Sequence, residues 1–135
     1  PPTFGEVCEG ADMRSDFDIS GIIGLSGDVV GSVALSMPWS TAERCVHAFT
    51  GADNPPAEDV CDAIGELANM IAGSAKSEIE GRSIAISCPS VVRGKELSVS
   101  KPKATPCVRI PCSSKLGEFE LLLCLQEVAK ARRAA

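Results

Sequence analysis

Residues 57–80 carry one uninterrupted helical pattern, the longest in the chain, and it limits the fold more than any other feature. Asp53-Asn54-Pro55-Pro56 lies just before it as a linker and Gly81 just after it, residue types that open and close helices. At about 100° per residue, Val60, Ile64, Leu67, Ala68, Ile71 and Ala75 fall on one side. An amphipathic helix draws most of its stability from packing this face, so the stripe needs a broad apolar surface to cover. Asp62, Glu66, Asn69, Gly73 and Lys76 recur at spacings of three and four on the other side, with Glu80 beyond, and this ridge is expected to face solvent.

The rest of the chain supplies a sheet for the helix to lie on. Phe17 to Ser26 and Asp28 to Met37 read as two strands, with Gly27 and Asp28 as the turn of a hairpin. Gly21, Gly24 and Gly31 lie inside these strands, where glycine marks a bulge or a close backbone approach. Ser40-Thr41-Ala42-Glu43 has the form of a capping box, opening a shorter helix that runs to about Phe49 and stops at Gly51. After Gly81 the strand signal returns: Ser83 to Cys88 and Val91 to Arg93 form a run broken at Pro89. Segments 96–100, 104–112 and 118–126 follow, with Ser113 to Gly117 as a hairpin connection. Strands, two helices, then strands predict an α+β domain with helices packed on a mainly antiparallel sheet. One domain over residues 1–135 is expected, with 1–16 irregular or an edge strand (Thr3 to Val7) and 129–135 a frayed basic tail.

Composition excludes several classes of function. With a net charge of −5, the surface repels phosphate backbones and anionic lipid, so neither nucleic acid nor membrane is an expected partner. The longest apolar run, Leu121 to Leu125, is too short to span a bilayer, and no basic-then-apolar leader opens the chain, so a cytoplasmic location is expected. The seven cysteines, at 8, 45, 61, 88, 107, 112 and 124, show no CxxC spacing. Buried reduced thiols are the expected reading. His47 is the single histidine, so neither a Cys/His metal site nor a Ser–His–Asp triad has support.

Two residues on the helical ridge are out of place for an ordinary solvated face. Asn69 is a weaker helix former than Glu, Lys or Gln, and Gly73 costs about 1 kcal/mol relative to Ala. A partner that must approach this backbone closely would account for both.

The segment Asp62-Ala63-Ile64-Gly65-Glu66-Leu67-Ala68-Asn69-Met70-Ile71-Ala72-Gly73 resembles the active-site helix of the CheC/CheX/FliY family of chemotaxis phosphatases. That family's pattern is Asp or Ser, Glu four residues on, Asn three further, and a Pro after the helix. Asp62, Glu66, Asn69 and Pro89 match it. The glycine-rich hairpin before the helix is similar to that of CheX-like members, and the resemblance covers roughly residues 17–95. A single copy of the motif is like CheX rather than the two-site CheC. Nothing in residues 1–16 resembles the helix that opens CheX-like proteins, and 96–135 match only in general character.

The resemblance implies a hydrolase acting on the aspartyl phosphate of a CheY-like response regulator, in chemotaxis or related two-component signalling. It implies that Glu66 pairs with a receiver lysine and that Asn69 orients the attacking water. A carboxamide suits that role because it donates and accepts at once and carries no charge. Asp62 would lie on the rim, and Gly73 would leave room for the receiver. No cofactor of its own is implied, since the receiver brings Mg²⁺, and a homodimer is. Two rival readings are a non-catalytic receiver-binding module like FliM, which shares the fold but lacks the Glu/Asn pair, and a thiol-based redox sensor.

Overall fold

The computed structural model describes residues 17–79, 81–94 and 106–128, together with the strand pairing of residues 3–4, 8–9, 14–15 and 97–98. Among the described residues the elements run β1 (Thr3–Phe4), β2 (Cys8–Glu9), β3 (Arg14–Ser15), β4 (Ile19–Gly27), β5 (Val29–Met37), α1 (Trp39–Thr50) and α2 (Ala57–Glu78). They continue with β6 (Ile84–Ile86), β7 (Ser90–Arg93), β8 (Leu97–Ser98), β9 (Cys107–Ser114) and β10 (Gly117–Glu127).

Four long strands in the order β9-β10-β5-β4 make an antiparallel sheet. β6 and β7 pair in succession along the outer edge of β4, and β1 and β2 do the same along β9. β3 and β8 pair separately. The helices pack on this sheet, as an α+β chain of this element order should. The main core lies between them, built from Ile19, Ile23, Leu35 and Met37 of the hairpin and Ala42, Cys45, Val46, Val60, Ile64, Ala68 and Ala72 of the helices. Ala34, Cys107, Leu122 and Cys124 form a second, smaller buried cluster with Ile22 against it.

Two strand glycines explain how closely these layers approach. A Cβ at Gly21 would stand 3.1 Å from both Ala68 Cβ and the Ile64 carbonyl oxygen, so its absence lets α2 settle onto β4. Gly31, at φ 153°, sits where any Cβ would collide with the Cys124 carbonyl of β10.

Several local expectations are corrected. The capping box at Ser40 is not used. Extended Pro38 starts α1 at Trp39, leaving Ser40 inside the first turn, and Asp18 Oδ2 accepts the Trp39 N–H at 2.9 Å. A tertiary contact thus does the job that the local motif suggested. Gly51 does close α1 in the left-handed conformation, its N–H donating to the His47 carbonyl. α2 ends at Glu78, and Glu80 lies outside the described residues. The β9–β10 connection is only Lys115 and Leu116, shorter than Ser113 to Gly117.

The cysteines also depart from expectation. The β9–β10 register sets Cys107 opposite Cys124 with Cα atoms 4.2 Å apart, and the two are joined as a disulfide rather than held as reduced thiols. Cys45, Cys61, Cys88 and Cys112 are free, and Cys88 is exposed. The pairing depends on register across a hairpin, which spacing along the chain does not reveal. The expected tail at 129–135 lies outside the described residues, as do most of residues 1–16 and 95–105. Among the described residues no helix is long and apolar enough to cross a membrane.

Candidate active site

The rotation of α2 about its own axis decides which of its side chains reach solvent, and two contacts set it. Ala68 seats on Gly21, and Gly65 faces Pro89 and Val91, whose side-chain carbons lie 3.3–3.6 Å from where a Cβ would stand. The buried face is consequently Val60, Ile64, Gly65, Ala68 and Ala72. Leu67 and Ile71 are half-buried on its flanks, and Ala75, expected in the core, is exposed. Alanine fits either environment, so its type alone does not fix the edge of the stripe.

With α2 turned this way, Asp62, Glu66, Asn69 and Lys76 are exposed and Gly73 half-exposed, as the ridge predicts. Among the described residues neither Glu66 nor Asn69 takes a hydrogen-bond or ion-pair partner. Both side chains are therefore uncommitted. They stand one helical turn apart, with Cβ atoms about 5–6 Å from each other by helix geometry.

Asp62, Glu66 and Asn69 line one open groove of about 980 Å³, walled by the end of α1, the exposed side of α2 and the Pro89–Val91 segment. Pro89 breaks the strand run, separating β6 from β7, and also forms part of this wall. Ser87 Oγ, accepting the Gly24 N–H at 2.8 Å, and Asp28 Oδ2, accepting the Ser83 N–H at 2.7 Å, pin the chain entering that segment to the β4–β5 hairpin. Gly73 lies one turn beyond the groove. Among the described residues a Cβ there would meet nothing within 4 Å, so no packing among them requires glycine.

Two groove residues escaped the sequence reading. Phe49, in the last turn of α1, and Met70, next to Asn69, are each 63% exposed. Met70 was open to discovery, since it stands four residues after Glu66 on the same ridge. Gly65 was likewise overlooked, although a buried helical glycine invites the question of what packs on it.

Burial pushes the thiols of Cys45 and Cys112 above their ordinary value of 9.0, which keeps them protonated and poorly nucleophilic. His47 Nδ1 lies 3.2 Å from Asp53 Oδ1 at the surface, bracing the loop between the helices. Among the described residues no three His, Cys, Asp or Glu side chains gather as a metal-binding set.

The model of the chemotaxis phosphatase CheX family matches residues 19–113. The chain belongs to this CheX family. The matched span takes in the hairpin, both helices, β6, β7 and nearly all of β9. The "CheY-P phosphatase CheX" of Thermotoga maritima is 37% identical over 82 residues, which cover 58% of this chain. That stretch spans 53% of the Thermotoga protein, about half its length. Among solved structures, a CheX from Desulfovibrio desulfuricans superposes with a TM-score of 0.79 at 29% identity, over 93% of this chain and 85% of that one. A CheC-like chemotactic protein from Shewanella oneidensis gives 0.80 at 26% identity, over 93% and 84%. These neighbours share the CheC/CheX-like fold.

Proposed function

We propose that this chain accelerates hydrolysis of the aspartyl phosphate on a CheY-like receiver domain, with Asn69 orienting the water and Glu66 fixing the docking register. One observation carries the reading: Glu66 and Asn69 are both exposed, lack partners among the described residues and stand one turn apart beside an open groove. Their spacing matches the motif of the CheX family.

Water's oxygen attacks phosphorus as the bond from phosphorus to the aspartyl oxygen breaks. The receiver carboxylate leaves, and inorganic phosphate is released with the water's proton shared among phosphate and solvent. Mg²⁺ would be brought by the receiver and would supply charge neutralisation for the phosphoryl group. What the receiver lacks is a water held in line. Asn69 accepts a hydrogen bond from that water through Oδ1 and donates to a phosphoryl oxygen through Nδ2, so the reaction gains from positioning rather than from a base. Glu66, approaching a receiver lysine, orients the complex more than it tightens it.

The test mixes the protein with phosphorylated receivers from the same organism and follows phosphate release. Faster loss than in the receiver alone supports the proposal, while an unchanged rate with every receiver defeats it. Binding without faster loss would favour a FliM-like docking module. A homodimer, which the resemblance implies, predicts twice the chain mass in sedimentation equilibrium.

A further inference from the structure

The groove beside Asn69 is apolar where a surface meant only for water would be polar. Among the described residues, the two most exposed large apolar side chains are Phe49 and Met70, and both line this groove. Scattered exposed apolar residues need no explanation, but two from different helices converging on one concavity mark an interaction surface. Both are side chains of the kind that interfaces favour: an aromatic ring and a flexible thioether that adapts to its partner.

The charge around the groove selects the partner. Asp59, Asp62 and Glu66 line it, and among the described residues no Lys or Arg does. The acidic residues come from successive turns of α2, flanking the apolar floor. A matching surface would present an apolar side chain bordered by Lys or Arg, and it would carry its phosphoryl group within reach of Asn69.

We infer that Phe49 and Met70 are the apolar anchors that dock the phosphorylated receiver, gripping an apolar side chain with a basic surround next to its phosphoaspartate. The inference rests on the phosphatase reading and adds to it which residues set affinity and receiver choice. Asn69 and Glu66 reach the reacting centre, whereas Phe49 and Met70 hold surface that does not change during reaction. Binding of that kind affects ground state and transition state alike, so its loss appears in KM and not in kcat.

The experiment compares wild type with Phe49→Ala, Met70→Ala and the double variant, using Val30→Ala as control. Val30 is 47% exposed in the hairpin-turn region and does not line the groove. Two readouts are taken: steady-state dephosphorylation of the receiver, and the affinity for the same receiver loaded with beryllofluoride and Mg²⁺. Each single variant should raise KM and Kd about tenfold, the usual effect of truncating an interface anchor, and the double variant more, with kcat changed less than twofold. Met70→Leu should recover most of the affinity. Because both side chains are exposed, circular dichroism and melting temperature should match wild type.

KM and Kd within twofold of wild type in the double variant would overturn the inference while leaving the phosphatase reading intact. If wild type binds the beryllofluoride receiver without speeding phosphate loss, and the double variant fails to bind, the anchors stand and the catalytic reading falls. A double variant that loses self-association while keeping receiver affinity would assign the groove to a second copy of the chain, which also overturns the inference.

Discussion

Replacing Gly73 with alanine should raise stability and lower activity together, a combination that ordinary damage to a helix does not produce. Position 73 is inside α2 with helical backbone, and it does not appear among the glycines with positive φ. An added Cβ meets nothing within 4 Å, so no clash offsets the gain in helix propensity. Alanine is favoured over glycine there by about 0.8–1.0 kcal/mol. For a chain of 135 residues, that corresponds to a rise in melting temperature of about 3–5 °C. If the missing side chain leaves room for receiver backbone, the new methyl costs about 1–3 kcal/mol in the complex, and kcat/KM falls by about 5- to 150-fold. Calorimetry and phosphate release measured on the same preparation decide the matter. An unchanged or lower melting temperature would refute the propensity reasoning. A higher one with unaltered kcat/KM would show that Gly73 serves no docking purpose.

Other consequences are open to direct measurement. Glu66→Gln should lower kcat/KM by about tenfold and flatten its salt dependence, because removing the charge that orients the complex removes the screening-sensitive part of the encounter. Gly21→Ala should destabilise the fold by about 1–3 kcal/mol in urea unfolding, since the added methyl presses on the Ile64 backbone oxygen at 3.1 Å. Burial raises the Cys45 thiol above 9.0, so the unfolded chain loses that proton first as pH climbs. Its contribution to stability is therefore complete below pH 9.0 and declines above it, and Cys45→Ala should flatten that part of the stability–pH curve.

Features with a purely local cause were legible in the sequence. The β4–β5 hairpin, the stop at Gly51 and the break at Pro89 follow from turn and helix-stop chemistry, and each stands where that chemistry puts it. The exposed ridge of α2 was legible for the same reason, because spacings of three and four fix a helix face once the helix exists. Features decided across the sheet were not. Ala72 and Ala75 are the same residue type on neighbouring turns, yet one packs in the core and the other faces solvent. Asp18 reaches over from the N-terminal end of β4 to satisfy Trp39, displacing a capping box that looked sufficient on its own. The bond between Cys107 and Cys124 needs the β9–β10 register, and the groove at Phe49 needs α1 placed against α2. The polar half of the candidate site was thus readable from one helix, while the apolar half arises only when two helices and the Pro89 wall come together.

In the proposed mechanism Asn69 contributes to the chemical step and not to docking. Comparing wild type with Asn69→Ala in single-turnover dephosphorylation, alongside affinity for the beryllofluoride-loaded receiver, tests it most directly. Asn69→Ala should lower the rate by about a hundredfold or more with affinity within threefold of wild type, in keeping with the loss of one positioned hydrogen-bonding group. A variant that turns over as fast as wild type, or one that loses binding and rate in equal measure, would contradict it.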